Sequence, residues 1–292
     1  TYREVGEFLE RPAAKHAPKI EQLRERLLAL HGVYRSFLRE RSGRGALELD
    51  TPELKLKFDA DGRIAALVEY PRNDAHRLIE ECMIAANIAA ARYLDRNHVP
   101  TLYRVHGMPE EDRLETLRQF LREFGLWLPP AGEVTAQHLR DLLQKLGDRP
   151  DALLVSTAVI RSMPQAVYQP GNIGHFGLAL EHYAHFTSPI RRYPDLVVHR
   201  GIRQVLQGGD PQELVAWHGP FPMLGQDCSF RERRADEATR GAVAWLKCYY
   251  MQDRIGEEFD GIVSGVVDFG LFVQLDGLQV DGLLHVSALG QD

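Results

Sequence analysis

Apolar residues recur at helical spacing from the start of the chain: Tyr2, Val5 and Leu9, then Ile20, Leu23, Leu27, Leu30, Tyr34 and Phe37, with arginine and glutamate between them. The pattern predicts helix over residues 1 to 45, ended by Gly43 and Gly45. From Ala46 to Tyr70 the period changes to two, with Leu54, Leu56 and Phe58 facing Ile64 and Val68 across an Asp61-Gly62 turn. Asp74 is then expected to cap a helix from Ala75 to about Leu94. This helix is apolar nearly all round (Leu78, Ile79, Cys82, Met83, Ile84, Ile88), which predicts burial. Thr101 to His106 reads as a short strand or turn. Pro109 opens a helix whose Leu114, Leu117, Leu121 and Phe124 share one face before Gly125, and Thr135 to Leu146 and Ala152 to Met163 follow as two more. Thr187, Ser188 and Pro189 look like a turn with an N-cap. Pro194 suits the first turn of a helix that buries Leu196, Val197 and Ile202 and stops near Gly208. A further helix is expected from about Arg231 to Asp253, charged at first and apolar around Val243, Trp245 and Leu246. After Ile255 the chain becomes a run of short β-branched strands, with Gly265, Gly270 and Gly277 placed for bulges and bends, and signals a second, all-β unit.

Composition narrows the class without naming a function. The 292 residues are 44% hydrophobic and 26% charged, ordinary for a globular chain and against disorder. No apolar run is long enough to cross a bilayer, and the first residues carry no secretory pattern. Cys82, Cys228 and Cys248 lack metal-ligand spacing and make no even disulfide framework, so a reducing cytoplasm is the expected compartment. A net charge of −6 argues against coating nucleic acid indiscriminately. Any RNA site must therefore gather its positive charge locally.

The densest candidate chemistry lies between His175 and Arg200, HFGLALEHYAHFTSPIRRYPDLVVHR. Arg191 and Arg192 fall at a helix entrance, where unpaired backbone N–H groups and the helix dipole favour an anion, and a guanidinium fork grips phosphate through two hydrogen bonds. The alternative is a solvated pair or a structural ion pair, Asp195 neutralising one arginine. Glu80 and Glu81 sit on the apolar helix. Carboxylates there are costly to bury unpaired, so at least one should face a cleft or a cation; the alternative is an exposed helix edge or an ion pair with Arg77. Asn87 is expected to cap a neighbouring backbone group. Asp59 and Asp61 read as a hairpin turn rather than a metal site.

The run TSPIRRYPDLVVHR, with IGHFGLALEHYAHF before it, resembles the signature of the ribonuclease II and ribonuclease R family of exoribonucleases. TYREVGEFLE, NDAHRLIEECMIAANIAAARYL, LYRVHG, RSMPQAVYQPGNIGHFGL and CSFRERRADEATR carry the same resemblance, and the strands after Ile255 resemble the opening of an S1-type OB-fold. The resemblance implies an α+β chain: the mostly helical central and C-terminal part of an RNB catalytic domain over 1–254, then the N-terminal half of an S1 barrel over 255–292. It implies hydrolysis of single-stranded RNA from the 3′ end to nucleoside 5′-monophosphates. Mg²⁺ would be the cofactor, held by aspartates upstream of Thr1. It assigns Arg191 the role of catalytic arginine, within a closed tunnel. Tyr2 would stack on the 3′-terminal nucleotide and set where degradation stops, and Glu80 would contact RNA near that end. His175, Phe176 and Arg192 would line the channel, and Phe259, Phe269, Phe272 and His285 stand where S1 domains stack bases, although Phe259 and Phe272 serve equally as core. Pro164 and Gly107 depart from the Lys and Glu expected in many members. No metal ligands are identified within the chain, so a catalytically inactive RNA-binding module is the second expectation. An unrelated helical enzyme whose arginine pair braces a core is the third. The expected partner is single-stranded RNA, not a membrane, and the chain is expected to be monomeric.

Overall fold

A computed structural model describes residues 1–47, 53–70, 72–147, 149–211, 213–278 and 280–289. The first helical stretch is three helices rather than one: α1 (Tyr2–Glu10), α2 (Pro18–Gln22) and α3 (Arg24–Gly43). Pro12 and Pro18 account for the break between α1 and α2, since neither can continue an interior helix, and Pro18 instead opens α2; the second break falls at Leu23. The expected alternation then forms an antiparallel hairpin, β1 (Glu53–Phe58) and β2 (Ile64–Tyr70), with Leu56 opposite Leu67 and Phe58 opposite Ile64. A register shift at Lys57/Phe58 puts Val68 opposite Lys55 instead of among the apolar partners. Asp59 Oδ1 accepts the Asp61 and Arg63 N–H groups, which makes it a turn residue. The part of this expectation on 48–52 lies outside the described residues.

Helix α4 (Asp74–Arg96) is the element the body packs around. Its cap is Asn73, not Asp74: the Asn73 side chain accepts the Ala75 and His76 N–H groups. Burial is one-sided, through Leu78, Glu81, Ile84, Asn87, Ala90, Ala91 and Leu94, while Ile79 is exposed and Cys82, Met83 and Ile88 are half-buried. The expectation of a helix buried all round therefore fails. The hydrophobic surplus covers the half-buried flanks, where α1 and α3 lie.

Next come β3 (Tyr103–Val105), α5 (Glu111–Glu123), α6 (Ala136–Leu146) and α7 (Ala152–Ser162). The apolar faces of these three helices meet in one core through Leu114, Leu117, Leu121, Leu139, Leu142, Val155 and Val159. Strand β4 (Val167–Gln169), which has no sequence signal of its own, pairs antiparallel with β3. Helix α8 (Tyr193–Leu206) follows the arginine pair, then α9 (Glu213–His218) and α10 (Phe221–Met251). A second core joins α4, α8 and the β3–β4 pair through Leu94, Leu102, Tyr103, Tyr168, Val197 and Val198. Gly201 permits the close α4–α8 approach, since a Cβ there would lie 3.1 Å from Leu94.

Helix α10 begins ten residues before the expected Arg231, with Pro222 in its first turn, and buries only Phe221, Gly225 and Ser229. Beyond Ser229 it is a largely wet rod on which Trp245 and Tyr249 stack. Three antiparallel strands close the chain: β5 (Gly261–Val267), β6 (Gly270–Leu275) and β7 (Asp281–His285), in the order β5-β6-β7. The expected glycines do bend this sheet. A register shift falls between Val263 and Gly265, and Gly270 (φ +155°) has the Leu284 carbonyl where a Cβ would stand, 2.2 Å away. Among the described residues no helix is long and apolar enough to cross a membrane.

Candidate nucleic-acid interface

The segment from Asn172 to Arg192 has little regular structure and is fixed instead by hydrogen bonds to its surroundings. His106 Nδ1 accepts the Gly177 N–H (2.9 Å) while its Nε2 donates to the Pro164 carbonyl (2.8 Å), which sets the neutral Nε2–H tautomer. Asn87 on α4 spans the loop: its Oδ1 accepts the Phe186 N–H at 2.9 Å, the backbone capping role expected of it, and its Nδ2 donates to the Tyr183 hydroxyl at 3.0 Å. His199 on α8 stacks under Phe186 (4.2 Å, 16°) and donates Nε2–H to its carbonyl.

Between these anchors runs a ladder of rings: His106 to His175 (5.0 Å), His175 to Tyr183 (5.4 Å), Tyr183 to His185 (5.7 Å) and His185 to Tyr168 (5.5 Å). Removal from water pushes His175 down to about 3, with help from nearby His106 and Arg104. The same cause, followed by the charges of Arg192 and Arg104, pushes His185 down to about 2. Both rings are therefore neutral at physiological pH. Burial raises the Tyr183 hydroxyl, which stays a hydrogen-bonding phenol.

The arginine pair divides. Arg192 is the N-cap of α8, without the side-chain cap expected from Thr187 or Ser188, and its Nη2 donates to Asp195 Oδ1 at 2.7 Å. Asp195 is fully buried and also accepts the Ser188 N–H at 2.7 Å, while the Ser188 carbonyl receives the N–H groups of Arg191 and Arg192. The carboxylate on the first turn of α8 thus reaches back and ties down the turn that precedes the helix, while the N-cap residue Arg192 makes no side-chain capping bond. Arg191 is exposed and its side chain has no hydrogen-bond or ion-pair partner among the described residues, and Ile190 beside it is 98% exposed. No closed tunnel surrounds Arg191 within these residues, so that expectation is not met by this chain alone. The charges of Arg192, Arg104 and, more weakly, Arg191 all bear on His185, and that of Glu80 on Tyr183. Arg104 is held by Glu232 of α10 at 2.6 Å and lies over the Tyr168 ring at 4.6 Å.

Glu80 and Glu81 both face cations. Arg41 lies 2.6 Å from buried Glu81 and 3.7 Å from Glu80, and Arg72 also pairs with Glu80. Tyr2 is half-exposed, with one ring face stacked on His76, one turn before Glu80 on α4 (4.3 Å, 14°), and its carbonyl held by Asn73. Phe176 packs against the core of α5, α6 and α7, and with His175 it lines an open cavity of 790 Å³ that also touches Arg44 and His106. In the terminal sheet, Phe269 is 50% exposed in the β5–β6 turn, edge-on to half-buried Phe272 at 6.4 Å. His285 pairs with Gly270 and so shares the Phe272 face, whereas half-buried Phe259 precedes the strands. The structure thus brings Glu80, His175, Arg191 and Arg192 around one ring ladder. Arg104, Tyr183 and His185, which complete it, have no individual signal in the sequence although the motifs LYRVHG and LEHYAHF contain them, whereas the pairing of Asp195 with one arginine is the expected alternative and holds for Arg192.

A magnesium site is not among these features: the described residues hold no group of three or more His, Cys, Asp or Glu placed to bind a metal. The ion does not fit the side chains present.

Comparison with known proteins finds two families along the chain. The RNB domain family matches residues 1–208 and the S1 RNA binding domain family residues 252–292. Ribonuclease R of Escherichia coli (strain K12) is 46% identical over 286 residues, which cover 95% of this chain and 35% of that protein. The chain thus spans about a third of the length of the curated relatives it matches. Mycoplasma genitalium RNase R, solved with ribose-methylated single-stranded RNA, shares the fold with a TM-score of 0.91 at 24% identity, over 100% of this chain and 46% of that one. Yeast Ssd1, a pseudonuclease, shares it with a TM-score of 0.70 at 21% identity, over 97% of this chain and 35% of that one. The chain belongs to the RNB-domain family of the ribonuclease II and ribonuclease R type, and continues into a segment of the S1 family.

Proposed function

We propose that this chain supplies one wall of the active site of a 3′-to-5′ exoribonuclease that degrades single-stranded RNA to nucleoside 5′-monophosphates. The observation that carries this reading is the division of the arginine pair. Asp195 neutralises Arg192 and makes it the brace, which leaves Arg191 presented on a fixed turn with its guanidinium uncommitted. A phosphodiester gains charge as its phosphorus becomes five-coordinate, and a preorganised cation at that point stabilises the transition state more than the bound substrate. Kinship with ribonuclease R, and a shared fold with an RNase R that holds single-stranded RNA, support the same substrate class.

In this reading His175 and Phe176 line the strand's path, Tyr2 and Glu80 meet its 3′ end, and Phe259, Phe269, Phe272 and His285 stack bases as the strand enters. Magnesium belongs to carboxylates outside the described residues, and no step here is assigned to it. The three cysteines are free thiols, in keeping with a cytoplasmic site of action. A monomer is the working form.

Arg191→Ala in the complete enzyme tests the central role: hydrolysis should slow by about a hundredfold or more while RNA affinity changes only a few-fold. Equal losses in both would remove Arg191 from the transition state. Tyr2→Ala should lengthen the final product and leave the rate on long RNA nearly unchanged, read by gel analysis of the end product. An unchanged end product would take Tyr2 out of the stacking role.

One observation favours a second reading, an RNA-binding body without hydrolysis. The described residues hold no metal-binding cluster, and a pseudonuclease shares the fold. Incubating the 292-residue chain with RNA and Mg²⁺ separates the two. Binding without release of mononucleotides is expected of the chain alone, and the complete enzyme decides whether the second reading extends to it.

A further inference from the structure

Away from Arg191, three helices turn one face each toward a cavity of 320 Å³. Helix α3 contributes Tyr34, Leu38 and Arg41, spaced four and three apart. Helix α4 contributes Arg77, Glu80 and Glu81, α6 contributes Arg140 and Gln144, and Arg72 precedes α4. The lining carries four arginines against two glutamates, an excess of two positive charges on a chain whose net charge is −6. Arg140 donates Nη1–H to the Ser42 carbonyl, but its Nε is buried without a hydrogen-bond partner. An unsatisfied buried guanidinium nitrogen is costly, and a ligand oxygen would satisfy it.

We propose that this cavity is a phosphate monoester subsite, occupied by the 5′-phosphate of the mononucleotide after hydrolysis, once that phosphate has left Arg191. This assignment rests on the exoribonuclease reading for the identity of the nucleotide. The phosphate chemistry rests on the cavity itself. A monoester carries about −1.5 to −2 at neutral pH, which matches the excess of two, whereas each backbone phosphodiester carries a single charge. Guanidinium forks are the side chains suited to such a dianion. Glu80 belongs to this lining and is itself a proposed 3′-end contact, so the cavity adjoins that end of the strand.

The test is calorimetric titration of the 292-residue chain with adenosine 5′-monophosphate, adenosine and the dinucleotide ApA, whose only phosphate is a diester. Adenosine 5′-monophosphate should bind at least tenfold more tightly than either of the others. Arg140→Gln should weaken it by about tenfold and Arg140→Lys by less, because lysine keeps the charge and loses the fork. Circular dichroism and the thermal midpoint of each variant establish that it is folded. Equal binding of ApA or adenosine, no binding of adenosine 5′-monophosphate at millimolar concentration, or indifference to Arg140→Gln in a folded variant would each overturn the assignment. The titration reads binding and not hydrolysis, so its failure leaves the Arg191→Ala result standing, and a failed Arg191 role leaves the titration interpretable.

Discussion

The loop that presents Arg191 and the sheet that closes the chain are both expected to touch RNA, and they are built on opposite plans. In the loop, Asn87, His106, His199 and Asp195 hold the backbone at named atoms, and the rings between them are partly or wholly withdrawn from water. In the sheet, every residue of β7 is exposed, and the half-exposed ring of Phe269 stands at a turn against the edge of Phe272. Charge must be placed to within fractions of an ångström to favour a transition state, so it sits where the structure is most constrained. Base stacking tolerates sequence and small displacement, and an open sheet is sufficient for it.

The sharpest way to break this comparison is Asp195→Ala. It removes the partner of a buried guanidinium and the acceptor of the Ser188 N–H, and should cost about 3 kcal/mol or more of stability, measured by urea denaturation. A loss below about 1 kcal/mol would mean that the turn does not depend on its carboxylate. Acid should act on the same region more gently. His175 and His185 have folded values far below the unfolded one, so between those values the unfolded chain binds the protons, and stability falls as pH falls. The stability is fully present above about pH 6.5, and roughly 1 kcal/mol per histidine should be lost by pH 5.5. His185→Gln should flatten the slope between pH 7 and 5.5, and an unaltered slope would place the protonation elsewhere. The smallest effect belongs to the sheet: Phe269→Ala should weaken single-stranded RNA binding by about 1 kcal/mol and leave the unfolding midpoint of the helical body unchanged. A shift of that midpoint would show that the two regions are mechanically coupled.

What could be read in advance follows the range of the interaction. Pro194, the apolar periodicity of α5, α6 and α7, and the bending glycines at 265 and 270 are local signals, and the structure places those elements where they point. The alternating charge that begins at Arg231 hides the start of α10, although Pro222 is a first-turn signal nine residues earlier. The single helix expected over 1 to 45 ignored Pro12 and Pro18. Thr187 and Ser188 suggest a side-chain cap for α8, whereas its N-cap is Arg192 without one, and a buried Asp195 three residues into the helix ties the preceding turn instead. Partnerships such as Arg41 with Glu81 and Arg104 with Glu232 join residues far apart in sequence, and no periodicity reports them. The motif carried Arg191 into view, but only the fold distinguishes the arginine that is presented from the one that is spent.

Helix α4 holds the Tyr2 stack at His76 and the loop staple at Asn87, eleven residues and about 16 Å apart along a rod of fixed rise. The two grips therefore keep one spacing and one angular phase. Inserting a single residue between them would swing one grip about 100° around the axis relative to the other, while lengthening by whole turns would preserve the phase and change only the reach. The helix thus acts as a ruler, and evolution can alter the distance it measures only in steps of about 5.4 Å.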